Sequence, residues 1–155
     1  MFIYHACQKG GVGKTTFTSP LSTMLYLNNP EKQINIFELD DFNEAEKVKS
    51  SFINHQTLKL KSTEIIIDEV QYHSLSDSSL INIIDVGGGV STKVVLGKLK
   101  EIELKNSNYY LPLCTDIDQI KNIKDTINLI LEFDKYANIN LVPQLSHIKP
   151  SCFLV

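Results

Sequence analysis

Arginine is absent: all 15 basic residues are lysines. No side chain can therefore make the planar, bidentate contact of a guanidinium with phosphate or guanine, and an arginine finger in cis is excluded. Cysteine is scarce, at three, and Cys7, Cys114 and Cys152 are far apart. With no C-x-x-C pair, a zinc or thiol-redox motif has no support. Cys7 and Cys114 sit in apolar runs and read as buried thiols in a reducing cytoplasm. Apolar runs of membrane-spanning length are missing, and with a glycine-rich stretch within ten residues of Met1 no signal peptide is expected before it. The net charge of -3 gives no global drive toward nucleic acid or anionic lipid. Cys152-Phe153-Leu154-Val155 has the spacing of a prenylation box but no polybasic flank.

What is present fits one globular domain over residues 1–155, with 43% hydrophobic and 21% charged residues. Phe2 to Cys7 reads as a strand, and Thr15 to Asn28 as a helix that Pro20 is expected to kink. Ile34 to Leu39 reads as a second strand and Asn43 to Asn54 as a polar helix. Leu58 to Leu60 and Ile65 to Ile67 can be strands, and Asp68 to His73 a helix or turn. "LINIIDV", Leu80 to Val86, is a buried strand ended by three glycines. Thr92 to Leu104 reads as a helix, Tyr109 to Cys114 as a strand, and Ile139 to Val142 as the last strand. Between these two strands, Asp116 to Tyr136 places Ile117, Ile120, Ile123, Ile127, Ile130 and Leu131 at helical spacing. Strands alternating with helices predict an α/β fold: a doubly wound, mainly parallel sheet with helices on both faces.

The stretch "CQKGGVGKTT" carries the most chemistry. A strict phosphate loop reads G-x-x-x-x-G-K-[ST], yet Gln8 stands where its first glycine belongs. Strand, glycines and helix still supply the required context. From Gly10, Gly11, Val12 and Gly13 to Thr16, backbone N–H groups and the helix N-terminus can hold phosphate. Lys14 can reach the β- and γ-phosphates, and the Thr15 hydroxyl can ligate Mg²⁺.

Lys9 to Thr15 reads K-G-G-x-G-K-[ST], and here the chain resembles the ParA/MinD family of deviant Walker-A P-loop ATPases. The resemblance covers roughly residues 1 to 142 and implies ATP and Mg²⁺ as ligands. It gives Lys9 a role across an ATP-dependent homodimer, where it replaces an arginine finger at the partner's nucleotide. After the second strand the family has D-x-D, and this chain has Glu38-Leu39-Asp40 in "FELDDFN". Alternation along a strand lets both carboxylates face the phosphate site. By resemblance Asp40 orients the attacking water and Glu38 supports Mg²⁺ or its water shell, with Asp41 as the alternative. "INIIDVGGG" has the Walker B pattern: Asp85 at the strand's carboxyl end would hold Mg²⁺ through water. Gly88 and Gly89 would form a switch segment that reaches the γ-phosphate.

Near the last strand the family often has an Asn that reads adenine, and Gln144 occupies that neighbourhood. ParA-like chains usually run further, so the C-terminus is expected to be shortened, and the tail is too short for a membrane-targeting helix. The implied function is partition of plasmid or chromosome, or positioning of another cargo in the cytoplasm, with a partition or adaptor protein as partner. Nonspecific DNA binding would rest on Lys59-Leu60-Lys61 and Lys98-Leu99-Lys100, which read better as solvated faces. Two other readings are a non-catalytic nucleotide-binding or regulatory fragment and a P-loop small-molecule kinase or transferase. An iron–sulfur carrier of the nitrogenase-reductase type is disfavoured by the cysteine spacing.

Overall fold

The computed structural model describes residues 2–5, 14–39, 50–59, 61, 65, 67–68, 72, 79–103, 105, 107–113 and 117–143, with side chains for all of these except 2–5 and 14–16. Along them run β1 (Phe2–His5), α1 (Lys14–Asn28), β2 (Gln33–Leu39), β3 (Ile53–Leu58), β4 (Leu80–Val86), α2 (Val90–Glu101), β5 (Asn108–Leu113), α3 (Ile117–Leu131) and β6 (Asn138–Pro143). The 6-stranded sheet has the order β3-β2-β4-β1-β5-β6. Every pairing in it is parallel.

Each face of the sheet has its own core. On one face Leu21 of α1 packs with Ile34 and Ile36 of β2, Ile53 of β3, and Ile81 and Ile83 of β4. On the other, Val95, Leu96 and Leu99 of α2 and Ile123 and Ile130 of α3 cover Phe37, Leu39, Ile84, Val86, Tyr109 and Leu111. β4 is buried on both faces because it lies inside a doubly covered parallel sheet. The chain leaves β1 toward one face and β4, its neighbour, toward the other. Such a reversal opens a crevice at the carboxyl ends of the strands, where ligands bind in folds of this class. Ile83 is fully buried in the layer directly beneath that end. Ile83→Ala is expected to cost about 2–4 kcal/mol of stability. Urea unfolding followed by circular dichroism checks this, and a loss under about 1 kcal/mol would mean the layer relaxes around the cavity.

Helix α1 runs unbroken through Pro20, whose ring lies on the exposed side. Ser22 Oγ and Thr23 Oγ1 both donate to the Ser19 carbonyl, at 2.7 and 3.1 Å. At the helix end the amides of Asn28 and Asn29 donate to the carbonyls of Met24 and Leu25. They satisfy acceptors that the last turn leaves open, and Pro30 prevents continuation.

Three expectations are corrected. Ile53 and Asn54, placed at the end of a polar helix, open strand β3, which runs to Leu58 rather than starting there; residues 43–49 of that helix and Leu60 lie outside the described residues. Ile65 and Ile67, read as a strand, are helical, as are Asp68 and Tyr72. The long amphipathic helix stops at Leu131 instead of Tyr136. It stops because the fully buried Asp134 turns the chain back: its N–H donates to the Ile130 carbonyl, and its carboxylate accepts the Ser107 N–H at 3.0 Å. Burial pushes the neighbouring Tyr109 hydroxyl well above its usual pKa, the Asp134 charge adds to the rise, and the nearby Ser107 opposes it. The face of α3 also differs: Gln119 and Thr126 are buried beside Ile123 and Ile130, whereas Ile117 is 70% and Ile120 48% exposed and Leu131 is exposed too.

Candidate functional site

Near the carboxyl edge of the sheet one register row crosses five strands. Thr57 of β3 pairs with Glu38 of β2, and Glu38 with Asp85 of β4. Asp85 pairs with His5 of β1, and His5 with Tyr110 of β5. Two positions earlier β2 and β4 carry the paired Ile36 and Ile83, and two before those Ile34 and Ile81. Side chains repeat every second residue, so this face is apolar beneath and polar at the carboxyl edge. It is the face that α1 covers.

The two carboxylates of the row are almost fully buried, with Glu38 1% and Asp85 2% exposed. A buried charge is tolerated only with partners. Thr18 of α1 donates its hydroxyl to Asp85 Oδ2 at 2.8 Å, which ties β4 to α1. Thr57 Oγ1 donates to Glu38 Oε2 at 3.0 Å. His55 Nε2 approaches the same oxygen at 3.5 Å. Two acidic side chains on neighbouring strands, with backbones about 4.8 Å apart, repel one another in a low dielectric. A cation among them relieves that repulsion.

The glycine turn after β4 is held from both sides. The Gly87 N–H donates to the Leu39 carbonyl at the end of β2, and the buried Thr92 hydroxyl donates to the Gly87 carbonyl at 2.9 Å. Gly89 has φ 63 and ψ -115. An L side chain is strained there, so the turn into α2 requires glycine at that position.

Of the residues expected at the site, Glu38 and Asp85 are brought together in one row, and Gly88 and Gly89 follow β4 at the same edge. Lys14, Thr15 and Thr16 form the first turn of α1. Lys9, Gly10, Gly11, Val12, Gly13, Asp40 and Gln144 lie outside the described residues. Thr18, His55 and Thr57 were missed. Period-2 reading of "INHQTL" would have put Ile53, His55 and Thr57 on one face, had those residues not been assigned partly to a helix. Among the described residues no group of three or more His, Cys, Asp or Glu side chains is placed to hold a metal ion. The surface lysines Lys98 and Lys100 pair with Glu101 and Glu132, at 2.8 and 3.0 Å, as solvated faces do. Among the described residues no helix is long and apolar enough to cross a membrane.

No protein-family model and no curated protein matches the chain. Solved structures do. The MinC:MinD cell division protein complex of Aquifex aeolicus aligns with a TM-score of 0.61 and 13% identity, over 92% of this chain and 67% of that one. A plasmid partition protein of Borrelia burgdorferi aligns with a TM-score of 0.60 and 15% identity, over 97% and 80%. A nucleotide-binding protein of Archaeoglobus fulgidus, solved with ADP, aligns with a TM-score of 0.56 and 16% identity, over 97% and 69%. The fold of this chain is the one shared by these MinD and plasmid partition structures.

Proposed function

We propose that the chain binds Mg²⁺–ATP, pairs with a second copy when it does so, and couples hydrolysis to partition or positioning of a cargo. The observation that most supports this reading is the row that puts Glu38 and Asp85 side by side at the carboxyl edge, beneath the helix that begins at Lys14. In this reading backbone N–H groups from Gly10 to Thr16 and the α1 N-terminus hold the phosphates. Lys14 contacts the β- and γ-phosphates, and Gln144 serves base recognition.

The oxygen donors fit Mg²⁺, which usually takes one or two carboxylates plus phosphate and water. Thr15, Asp85 and Glu38 would hold it directly or through its waters. Once bound, it would neutralise charge on the β- and γ-phosphates. Asp40 accepts a hydrogen bond from the attacking water and aligns it with the γ-phosphorus. Lys9 of the second copy places positive charge on the transferred phosphoryl group. Gly88 and Gly89 give the turn after β4 the freedom to contact the γ-phosphate and to release it after hydrolysis. A partition or adaptor protein is the expected partner of the dimer.

Asp40→Ala tests the hydrolytic part. ATP affinity is expected to stay within about 2-fold, while turnover falls roughly 10²- to 10⁴-fold, the range for loss of a group that handles the water's proton. Parallel nucleotide titration and phosphate-release assays read both. Equal turnover in variant and wild type would remove Asp40 from the mechanism. A wild type that binds ATP but shows no magnesium-dependent hydrolysis would establish a regulatory nucleotide-binding protein instead.

A further inference from the structure

Strand β3 lies at the edge of the sheet, outside β2. Its first inward position is apolar: Ile53 pairs with Ile34 and belongs to the core under α1. The next two inward positions are His55 and Thr57. The His55 side chain is nonetheless 4% exposed, so β3 gives up apolar burial at the two rows nearest the carboxyl edge. Both polar side chains turn to one atom. Thr57 Oγ1 donates to Glu38 Oε2 at 3.0 Å, and His55 Nε2 stands 3.5 Å from the same oxygen.

A glutamate has three rotatable side-chain bonds, and ordering one costs conformational entropy. Anchoring one carboxylate oxygen from a neighbouring strand sets the side chain's direction before any ligand arrives. Preorganisation of this kind lowers the cost of binding a cation at the other side of the group. Asp85 is fixed in a corresponding way by Thr18. The row thus has two carboxylates, each held by a hydroxyl from a different element: α1 for Asp85, β3 for Glu38.

We propose that Thr57 and His55 are positioning residues that orient Glu38 for magnesium-dependent nucleotide binding. This rests on the reading of the site as a Mg²⁺–ATP site. The test is a titration of Mg²⁺ at fixed fluorescent ATP analogue, read as nucleotide binding rather than turnover, with thermal melts of each variant. The set is wild type, Thr57→Ser, Thr57→Val, His55→Gln, Glu38→Gln, and Glu38→Gln combined with Thr57→Val.

Thr57→Val is expected to raise the half-saturating Mg²⁺ roughly 10- to 100-fold, the worth of one hydrogen bond to a charged acceptor. Thr57→Ser, which keeps the hydroxyl, is expected to match wild type. His55→Gln is expected to shift the titration in the same direction as Thr57→Val, and it carries the test if Thr57→Val melts as an unfolded chain. In the Glu38→Gln background Thr57→Val is expected to add nothing, because Thr57 acts through the carboxylate. An unchanged Mg²⁺ requirement in folded Thr57→Val and His55→Gln, beside a magnesium-dependent wild type, overturns the positioning role and leaves the nucleotide-site reading intact. An equal shift with and without Glu38 also overturns it, since the effect would then be general packing. A wild type that binds no nucleotide at any Mg²⁺ concentration overturns both.

Discussion

Lys14→Ala is expected to weaken ATP binding on the order of 100-fold while leaving the fold in place. Lys14 is the first residue of α1, and in the proposed function its charge adds to the positive end of the helix dipole at the phosphates. No arginine exists in the chain to take over. The loss of one charged hydrogen-bonding partner from a desolvated phosphate site costs about 3 kcal/mol, on the order of 100-fold in Kd. The first turn of a helix accepts alanine readily, and alanine has the highest helix propensity. Stability should therefore change by less than about 0.5 kcal/mol. Titration with a fluorescent ATP analogue, beside a thermal melt, separates the two effects. Wild-type affinity in a folded Lys14→Ala protein would mean that the anion site lies elsewhere than the start of α1. A lost fold would instead assign Lys14 a structural role.

The elements that were legible in the sequence are those for which local and tertiary signals agree. "LINIIDV" is apolar except for Asn82 and Asp85 and is ended by glycines, and β4 has the predicted limits, Leu80–Val86. The glycine-lysine-threonine stretch located the start of α1 to within one residue. Glu38 and Asp85 were named from motifs, and their placement in one register row follows from strand order, which no local pattern contains. β3 was missed for a physical reason. As an edge strand it needs fewer apolar residues, and its inward His55 and Thr57 serve Glu38 rather than the core. The isoleucines of α3 misled in another way. They spread over more than the stripe that the sheet can cover, so periodicity gave a helix but not its buried face. The sheet and α2 bury Ile123 and Ile130 with Thr126 between them and Gln119 one turn before, and Ile117 and Ile120 remain outside. Its end was set by a contact distant in sequence, Asp134 with Ser107.

Lys9→Ala is expected to slow turnover by about 10³-fold with little change in ATP affinity, the scale on which a transition-state cation of the arginine-finger kind acts. The proposed function puts Lys9 on the partner's nucleotide, so its effect has to be intermolecular. This gives a sharper test than the single variant. Lys9→Ala retains Asp40, and Asp40→Ala retains Lys9; each alone is nearly inactive. In a mixed pair, the Lys9→Ala subunit has its own Asp40 and receives Lys9 from the other subunit, so one of the two sites is complete. With random pairing of equal amounts, half of the pairs are mixed, and activity should recover to about a quarter of wild type. A lysine acting on its own subunit's nucleotide predicts no recovery at any mixing ratio, because every site would then lack either Lys9 or Asp40. Recovery should also fall as the protein is diluted below the dissociation constant of the pair, since mass action governs the fraction assembled. Activity of the mixture that stays at the level of the separate variants would place Lys9 in cis or outside the mechanism.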